Sequence, residues 1–297
     1  MSCFNPIPAY RTPAGVIFNN RHKNITDSFN VPCGQCVGCR LERSRQWAIR
    51  CVHEASLHAE NSFITLTYND ENLPSDMSLN VDHFQKFMKR LRKHFHPKKI
   101  RFYHCGEYGS KYGRPHYHAL LFGVDFSDKT LLMVQNGQHI YRSATLEKLW
   151  TKGYSSIGAV TFESAAYVAR YIMKKINGDA ANEHYTYVHP ITGQIYNRKP
   201  EYTTMSRRPG IAAGWLDRYL SDVYPHDRVV FKGKSLKPPR FYDKRIEMTD
   251  PALFEEIKFK RYQNAQKHLD DNTSDRLKVK EAVQISKLKN LPRNLPT

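Results

Sequence analysis

The chain has 297 residues, 40% of them apolar and 12% aromatic, enough to bury a substantial core as one large domain or as one domain with appended modules. Lysine and arginine number 46 against 28 aspartates and glutamates, and the net charge of +18 favours a polyanionic partner, nucleic acid above all. No apolar stretch approaches the roughly 20 residues that cross a bilayer, and MSCFNPIPAY lacks the regions of a secretory signal, so a soluble cytoplasmic protein with no membrane partner is expected.

Charge alone does not separate a nucleic-acid partner from a merely solvated basic surface, so the motifs must decide. Six cysteines are present, and Cys33, Cys36 and Cys39 are spaced C-x2-C-x2-C within VPCGQCVGCR, with Cys3 upstream and Cys51 downstream. Such spacing suits tetrahedral thiolate coordination in a reducing compartment, so a structural Zn2+ on Cys3, Cys33, Cys36 and Cys39 is expected. The alternatives are unconnected thiols at a helix start and an iron–sulfur cluster.

From Val37 to His58 apolar residues recur at helical spacing, with arginines scattered around the exterior. SFITLTY at 62–68 alternates β-branched and aromatic residues as a strand does. Residues 82–95 repeat Phe84, Phe87, Met88, Leu91 and Phe95 at three- and four-residue steps, an amphipathic helix with a basic outer face. IRFYHC at 100–105 is a second strand, and GEYGSKYGRP turns the chain into a third, HYHALLF at 116–122. A short helix at 145–152, a strand at 155–162 and a helix from 163 to 178 follow, the last ending at Gly178. A further helix is expected from Ala212 to Val223, and the last forty residues, polar and lysine-rich, read as a solvated or DNA-contacting tail. The fold class is therefore α+β. The expected division is a Cys-rich segment with a basic helix at 1–60, a catalytic core at 61–225 and a basic C-terminal extension at 226–297.

His116 and His118 flank Tyr117 in a strand, so a period of two turns both imidazoles to one face, alongside Leu120 and Phe122. A hairpin would return the Glu107 carboxylate beside them, and two imidazoles with one carboxylate suit a divalent ion with open positions, Mg2+ or Mn2+. Each residue alone has a bland reading: H-x-H recurs by chance, and Glu107 could be a solvated turn residue. On the helix at 163–178, Ala165, Val168, Ala169, Ile172 and Ile176 form one stripe, with Tyr167, Arg170, Tyr171 and Lys174 opposite. A phenol titrates near about 10, and a cation or metal beside it favours the nucleophilic phenolate.

G-E-Y-G-x5-R-P-H-Y-H-A-L-L-F-G followed by Y-V-A-R-Y-I-M-K resembles the HUH endonucleases that start rolling-circle replication, and within them the replication initiators of gokushovirus-type microviruses. The likeness runs over about residues 30–210 and includes FITLTYND and MSRRPGI. It implies a central antiparallel sheet flanked by helices, metal ligands at His116, His118 and Glu107, and nucleophiles at Tyr167 and Tyr171. Lys174 would take the helper-lysine role, with Arg170 a departure at the other candidate position. Asn69 and Asp70 would lie where DNA could be touched. The implied activity is nicking the origin of a circular phage genome through a 5′-phosphotyrosine and rejoining the displaced strand, in the cytoplasm of the infected bacterium. Single-stranded origin DNA and replicative-form DNA would be the substrates. GKS at 233–235 is not a P-loop, because Arg228 stands where glycine is required, so a host helicase would unwind the duplex and a host polymerase extend it. Two other readings stay open: a relaxase or transposase that mobilises DNA, and a non-catalytic zinc-containing nucleic-acid-binding protein.

Overall fold

Three short strands, Ile7–Thr12 (β1), Gly15–Ile17 (β2) and Asp27–Val31 (β3), open the chain as an antiparallel sheet in the order β2-β1-β3. The structure is a computed structural model that describes residues 3–109, 113–171, 180–188 and 192–289. A helix, Val37–Ala55 (α1), follows this sheet. Packing divides the chain into two units, one joining 1–43 to 240–293 and the other holding 44–239, with the cut inside α1.

The larger unit is built on a seven-stranded sheet. Its strands are Asn61–Tyr68 (β4), Arg101–Tyr108 (β5), Pro115–Phe122 (β6), Thr130–Gln135 (β7), Gln138–Arg142 (β8), Gly153–Gly158 (β9) and Tyr202–Met205 (β12). They run in the order β12-β5-β6-β4-β9-β8-β7 with every neighbouring pair antiparallel. The fold is therefore α+β with a central antiparallel sheet flanked by helices. At the start of β9 the chain passes so close to β4 that a Cβ on Gly153 would stand 2.2 Å from the Asn69 nitrogen, at φ +139°, so only glycine fits.

One face of this sheet carries the main core. Ile64, Leu66, Tyr117, Ala119 and Leu121 meet Phe84, Phe87, Met88 and Leu91 of Val81–His94 (α2), and Leu146 and Trp150 of Ala144–Trp150 (α3). Asn80 caps α2 through the Asp82 N–H, and its own N–H and carbonyl both bond the Tyr117 hydroxyl at 2.9 Å. Tyr117, although it sits between the two histidines in sequence, thus belongs to the far face, where burial pushes its phenol up to about 12.

The opposite face is covered by α1, whose Trp47 stacks on Tyr103 at 4.8 Å, and by Phe162–Tyr171 (α4). Thr161 and Ser164 exchange hydrogen bonds across the first turn of α4, Thr161 N to Ser164 Oγ at 2.8 Å and Ser164 N to Thr161 Oγ1 at 3.1 Å. Those bonds end β9 earlier than the expected strand limit of 162. The expected continuation of α4 to Gly178 falls on residues 172–179, outside the described residues. Beyond them come Ala180–Tyr185 (α5), the two-stranded sheet of Thr186–Val188 (β10) and Ile195–Asn197 (β11), and a helix pair. The single helix expected over Ala212–Val223 is broken at Tyr219 into Ala213–Arg218 (α6) and Leu220–Val223 (α7).

The C-terminal region does not behave as one basic extension from residue 226. Val229–Phe231 (β13) and Lys234–Leu236 (β14) form a hairpin in the larger unit. Arg240–Thr249 (α8), Pro251–Gln266 (α9) and Ser274–Lys289 (α10) belong with the N-terminal strands. The physical reason is a sparse but real apolar set: Tyr242, Ile246, Phe254, Ile257 and Leu277 are buried, and the Arg261 guanidinium grips Asp243 through two bonds of 2.8 and 2.9 Å.

Candidate active site

The register of β5, β6 and β4 assembles the site. Glu107 lies directly opposite His116 and Cys105 opposite His118, while on the other side of β6 Thr67 faces His116 and Thr65 faces His118. Directly opposed residues project to one face of a sheet, and a one-residue slip would turn them all away, so the buried apolar pairs such as Phe63 with Leu120 hold the polar row in place.

His116 Nε2 and His118 Nε2 stand 2.8 and 3.0 Å from the same Glu107 Oε1, all three residues being buried, and the imidazole rings are perpendicular with centroids 4.9 Å apart. The outer ring nitrogens are also held. His116 Nδ1 donates to the Arg114 carbonyl at 3.0 Å, and His118 Nδ1 lies 2.9 Å from Thr65 Oγ1. Burial alone would push the Glu107 carboxyl up, but hydrogen bonds and charge from His116 and His118 outweigh it and hold the group down at about 2, as a carboxylate.

This arrangement is a donor set for a divalent cation. A carbonyl can only accept, so His116 Nδ1 carries a proton, and its Nε2, facing a carboxylate, must hold a second proton or a cation. Ligands at about 2.0–2.1 Å around an octahedral ion stand about 2.9 Å apart along an edge. The two nitrogen–oxygen separations observed, 2.8 and 3.0 Å, match that edge. Two imidazoles oriented from behind and one carboxylate fit Mg2+ or Mn2+ with positions left for other oxygens.

Tyr167 completes the wall of the site. Its ring meets His118 edge-on, with centroids 5.1 Å apart, and Phe63 stacks on the other part of His118 at 5.7 Å. On the helical wheel Tyr167 stands opposite the apolar stripe, yet in the fold it is only 7% exposed. The reason is that α4 is covered on more than one side: the sheet lies under it, and Ser44 of α1 donates to the Ala166 carbonyl at 3.0 Å. Arg170 is exposed in the last turn. Tyr171 closes the described part of α4, one turn beyond Tyr167; its side chain and the whole of Lys174 lie outside the described residues. Cys3, Cys33, Cys36 and Cys39 come together in the smaller unit, whereas Cys51 and Cys105 are buried in the larger one.

Two contributors escape the sequence reading. Thr65 was part of a strand read as core, and Arg114 was read only as turn. The interruption of the apolar run FITLTY by two threonines was the available signal for a hydroxyl facing the histidines. Asn69 and Asp70, expected near DNA, are engaged in the turn after β4: Asn69 Oδ1 accepts from Asn72 N at 3.0 Å, and Asp70 pairs with the Arg114 guanidinium, which also donates to the Tyr68 carbonyl at 2.7 Å.

The fold and site define a class: an α+β protein with a buried two-histidine, one-carboxylate centre beside a tyrosine-bearing helix. Residues 61–176, which run from β4 through α4, match the family model for the replication-associated protein ORF2. The chain is 32% identical over 328 residues to "Replication-associated protein VP4" of Bdellovibrio phage phiMH2K, taking in 99% of each chain. It is 31% identical over 296 residues to "Replication-associated protein ORF2" of Spiroplasma virus 4, with 91% of this chain and 88% of the relative covered. A third relative, "Replication-associated protein ORF4" of Chlamydia phage 1, is 40% identical over 156 residues, half of this chain and 39% of the relative. No solved structure matches. The chain belongs to the family of replication-associated proteins of microvirus-like phages, as its motifs led one to expect.

Proposed function

We infer that this phage replication protein is an HUH-type initiation endonuclease, which nicks the origin of the circular genome, stays joined to it through a 5′-phosphotyrosine and rejoins the displaced single strand. The observation that carries this reading is the edge-on packing of Tyr167 against His118 of the Glu107–His116–His118 set, at 5.1 Å between ring centroids. A potential nucleophile and a metal-ligand set then share one wall.

His116, His118 and Glu107 would hold Mg2+ or Mn2+, which when bound withdraws charge from a scissile phosphate and fixes its orientation. Tyr167 Oη attacks phosphorus; the new O–P bond forms as the P–O3′ bond breaks, the phenol loses its proton, and O3′ takes one up to become a free 3′-hydroxyl. Phosphotyrosine conserves the bond energy, so neither cleavage nor rejoining consumes ATP. Tyr171, one helical turn on, attacks the regenerated origin after a round of synthesis. The freed 3′-hydroxyl then attacks the first phosphotyrosine, closing the circle and restoring the phenol. Arg170 and Lys174 supply the positive charge that favours phenolate. Thr65 and the Arg114 carbonyl keep both imidazoles oriented before substrate arrives.

The substrates are replicative-form DNA and the single-stranded origin exposed at the cut, bound through the excess of basic groups. A host helicase unwinds, a host polymerase extends the 3′ end, and the reaction runs in the cytoplasm of the infected bacterium. Among the described residues no helix is long and apolar enough to cross a membrane. The test is incubation with supercoiled replicative-form DNA and Mn2+, followed by denaturing electrophoresis. The expected result is nicked circles carrying covalent protein, abolished by chelator and by Tyr167→Phe/Tyr171→Phe. An unchanged adduct yield in the double variant would overturn the reading.

A further inference from the structure

The four cysteines of the smaller unit form a second centre, chemically unlike the first. Cys3, Cys36 and Cys39 are buried and Cys33 partly so, with Phe4 packed against them. The sulfurs lie within 4.8 Å of one another, Cys3 to Cys33 at 3.7 Å and Cys36 to Cys3 at 3.9 Å. A disulfide needs about 2.05 Å, and all of these cysteines are free. Four thiolates at about 2.3 Å around a tetrahedral ion stand about 3.8 Å apart along each edge. The observed spacings bracket that value. A multi-iron cluster, with sulfide and iron between the thiolates, would spread the sulfurs further.

Backbone amides converge on the same sulfurs. Phe4 N donates to Cys36 Sγ, Cys33 N to Cys3 Sγ and Cys36 N to Cys33 Sγ, each at 3.3 Å, and Gln35 N and Cys39 N donate to Cys33 and Cys36 at 3.5 Å. Donors aimed at sulfur favour thiolate over thiol and orient it, as outer partners do around metal ligands. Cys36 stands just ahead of α1 and Cys39 in its first turn, where the helix dipole also favours negative charge.

The surrounding structure needs such a tie. Within β1, β2 and β3 only Ala9 and Thr12 are buried, while Ile7, Val16 and Phe18 are 41%, 51% and 65% exposed. So thin an apolar set does not by itself fix a three-stranded sheet, and segments of this kind use metal where a core is lacking. A bond network through Cys3 and Cys33 closes the chain just before β1 onto the link between β3 and α1.

We propose that Cys3, Cys33, Cys36 and Cys39 bind one zinc ion in a closed tetrathiolate site that holds the N-terminal sheet to the start of α1. Four protein ligands leave no open position, so the site is structural and takes no part in DNA cleavage. Zinc suits it better than Mg2+ or Mn2+ because soft thiolates select soft or borderline ions. The proposal is independent of the nicking mechanism.

The test is metal analysis of the purified full chain after exhaustive dialysis against metal-free buffer. About one zinc per chain is expected, retained in His116→Ala/His118→Ala and in Cys51→Ser, and lost in Cys33→Ser/Cys36→Ser. A cobalt-exchanged intact chain should show the intense visible bands and near-ultraviolet thiolate-to-metal transitions of a tetrahedral tetrathiolate, and this readout needs no variant to fold. Less than about a tenth of a zinc per chain, iron in its place, zinc retained by the double cysteine variant, or cobalt bound without thiolate transitions would each overturn the proposal. Zinc lost only from the double histidine variant would do so too, since the ion would then occupy the other centre.

Discussion

Replacing Thr65 with valine removes one hydroxyl and nearly nothing else, yet it should alter how the histidine centre holds its metal. Thr65 is 5% exposed and its Oγ1 lies 2.9 Å from His118 Nδ1, the nitrogen behind the one that faces Glu107. Valine keeps the shape and leaves that nitrogen without its partner in a site water does not reach. An unsatisfied buried group costs about 1–3 kcal/mol. Loss of such an outer partner typically weakens metal affinity about 10–100-fold, or about 1.4–2.7 kcal/mol, so the two estimates agree. The assay is the Mn2+ dependence of nicking, measured beside thermal unfolding. The half-saturating Mn2+ concentration should rise about 10-fold or more in Thr65→Val and return towards normal in Thr65→Ser, which restores a hydroxyl. A Thr65→Val chain that is folded and has the same metal dependence within about twofold would refute the claim that Thr65 orients His118.

Tyr117→Phe makes a complementary prediction, because this tyrosine sits between the histidines in sequence but faces the other core. It should still form the covalent DNA adduct, while unfolding at lower denaturant by about 1–3 kcal/mol, since the Tyr68 hydroxyl at 2.6 Å and the Asn80 cap both lose their partner. Glu54→Ala should cost about 3 kcal/mol or more in a urea melt, because the buried carboxylate binds Arg101 and accepts from Ala212 N at 2.6 Å. Burial alone would raise the Glu54 carboxyl, but bonds from His58, Ala212 N–H and Arg101 outweigh it and lower it below 4.5. Its stabilising effect is therefore complete above that value and fades as pH falls through the lower, folded one; Glu54→Gln should flatten the acid limb of the stability curve in that window.

Much of the site can be read from short-range pattern. A strand repeats every two residues, so H-x-H must put both imidazoles on one face, and a glycine-bearing hairpin must return Glu107 to them. The stripe of α2 and the C-x2-C-x2-C run are likewise local, and each led to the right element. What could not be read is long-range. The β7–β8 hairpin gives no usable signal, since Leu131, Leu132, Met133 and Val134 are all exposed despite being apolar. β12 joins β5 across about a hundred residues, and no local pattern announces that partnership.

By itself, then, the sequence determines the donor types and their faces: two histidines and one glutamate on a sheet, two tyrosines a turn apart on a helix, and a cysteine set at a helix start. Only the tertiary structure decides which of them meet. The β4–β6 register brings Thr65 behind His118, and cover from both the sheet and α1 buries Tyr167 despite its place off the apolar stripe. The fold-back of β1 and β3 delivers Cys3 to cysteines 30 or more residues away. Each is a contact between segments distant in the chain, settled by packing and register, which residue spacing cannot encode.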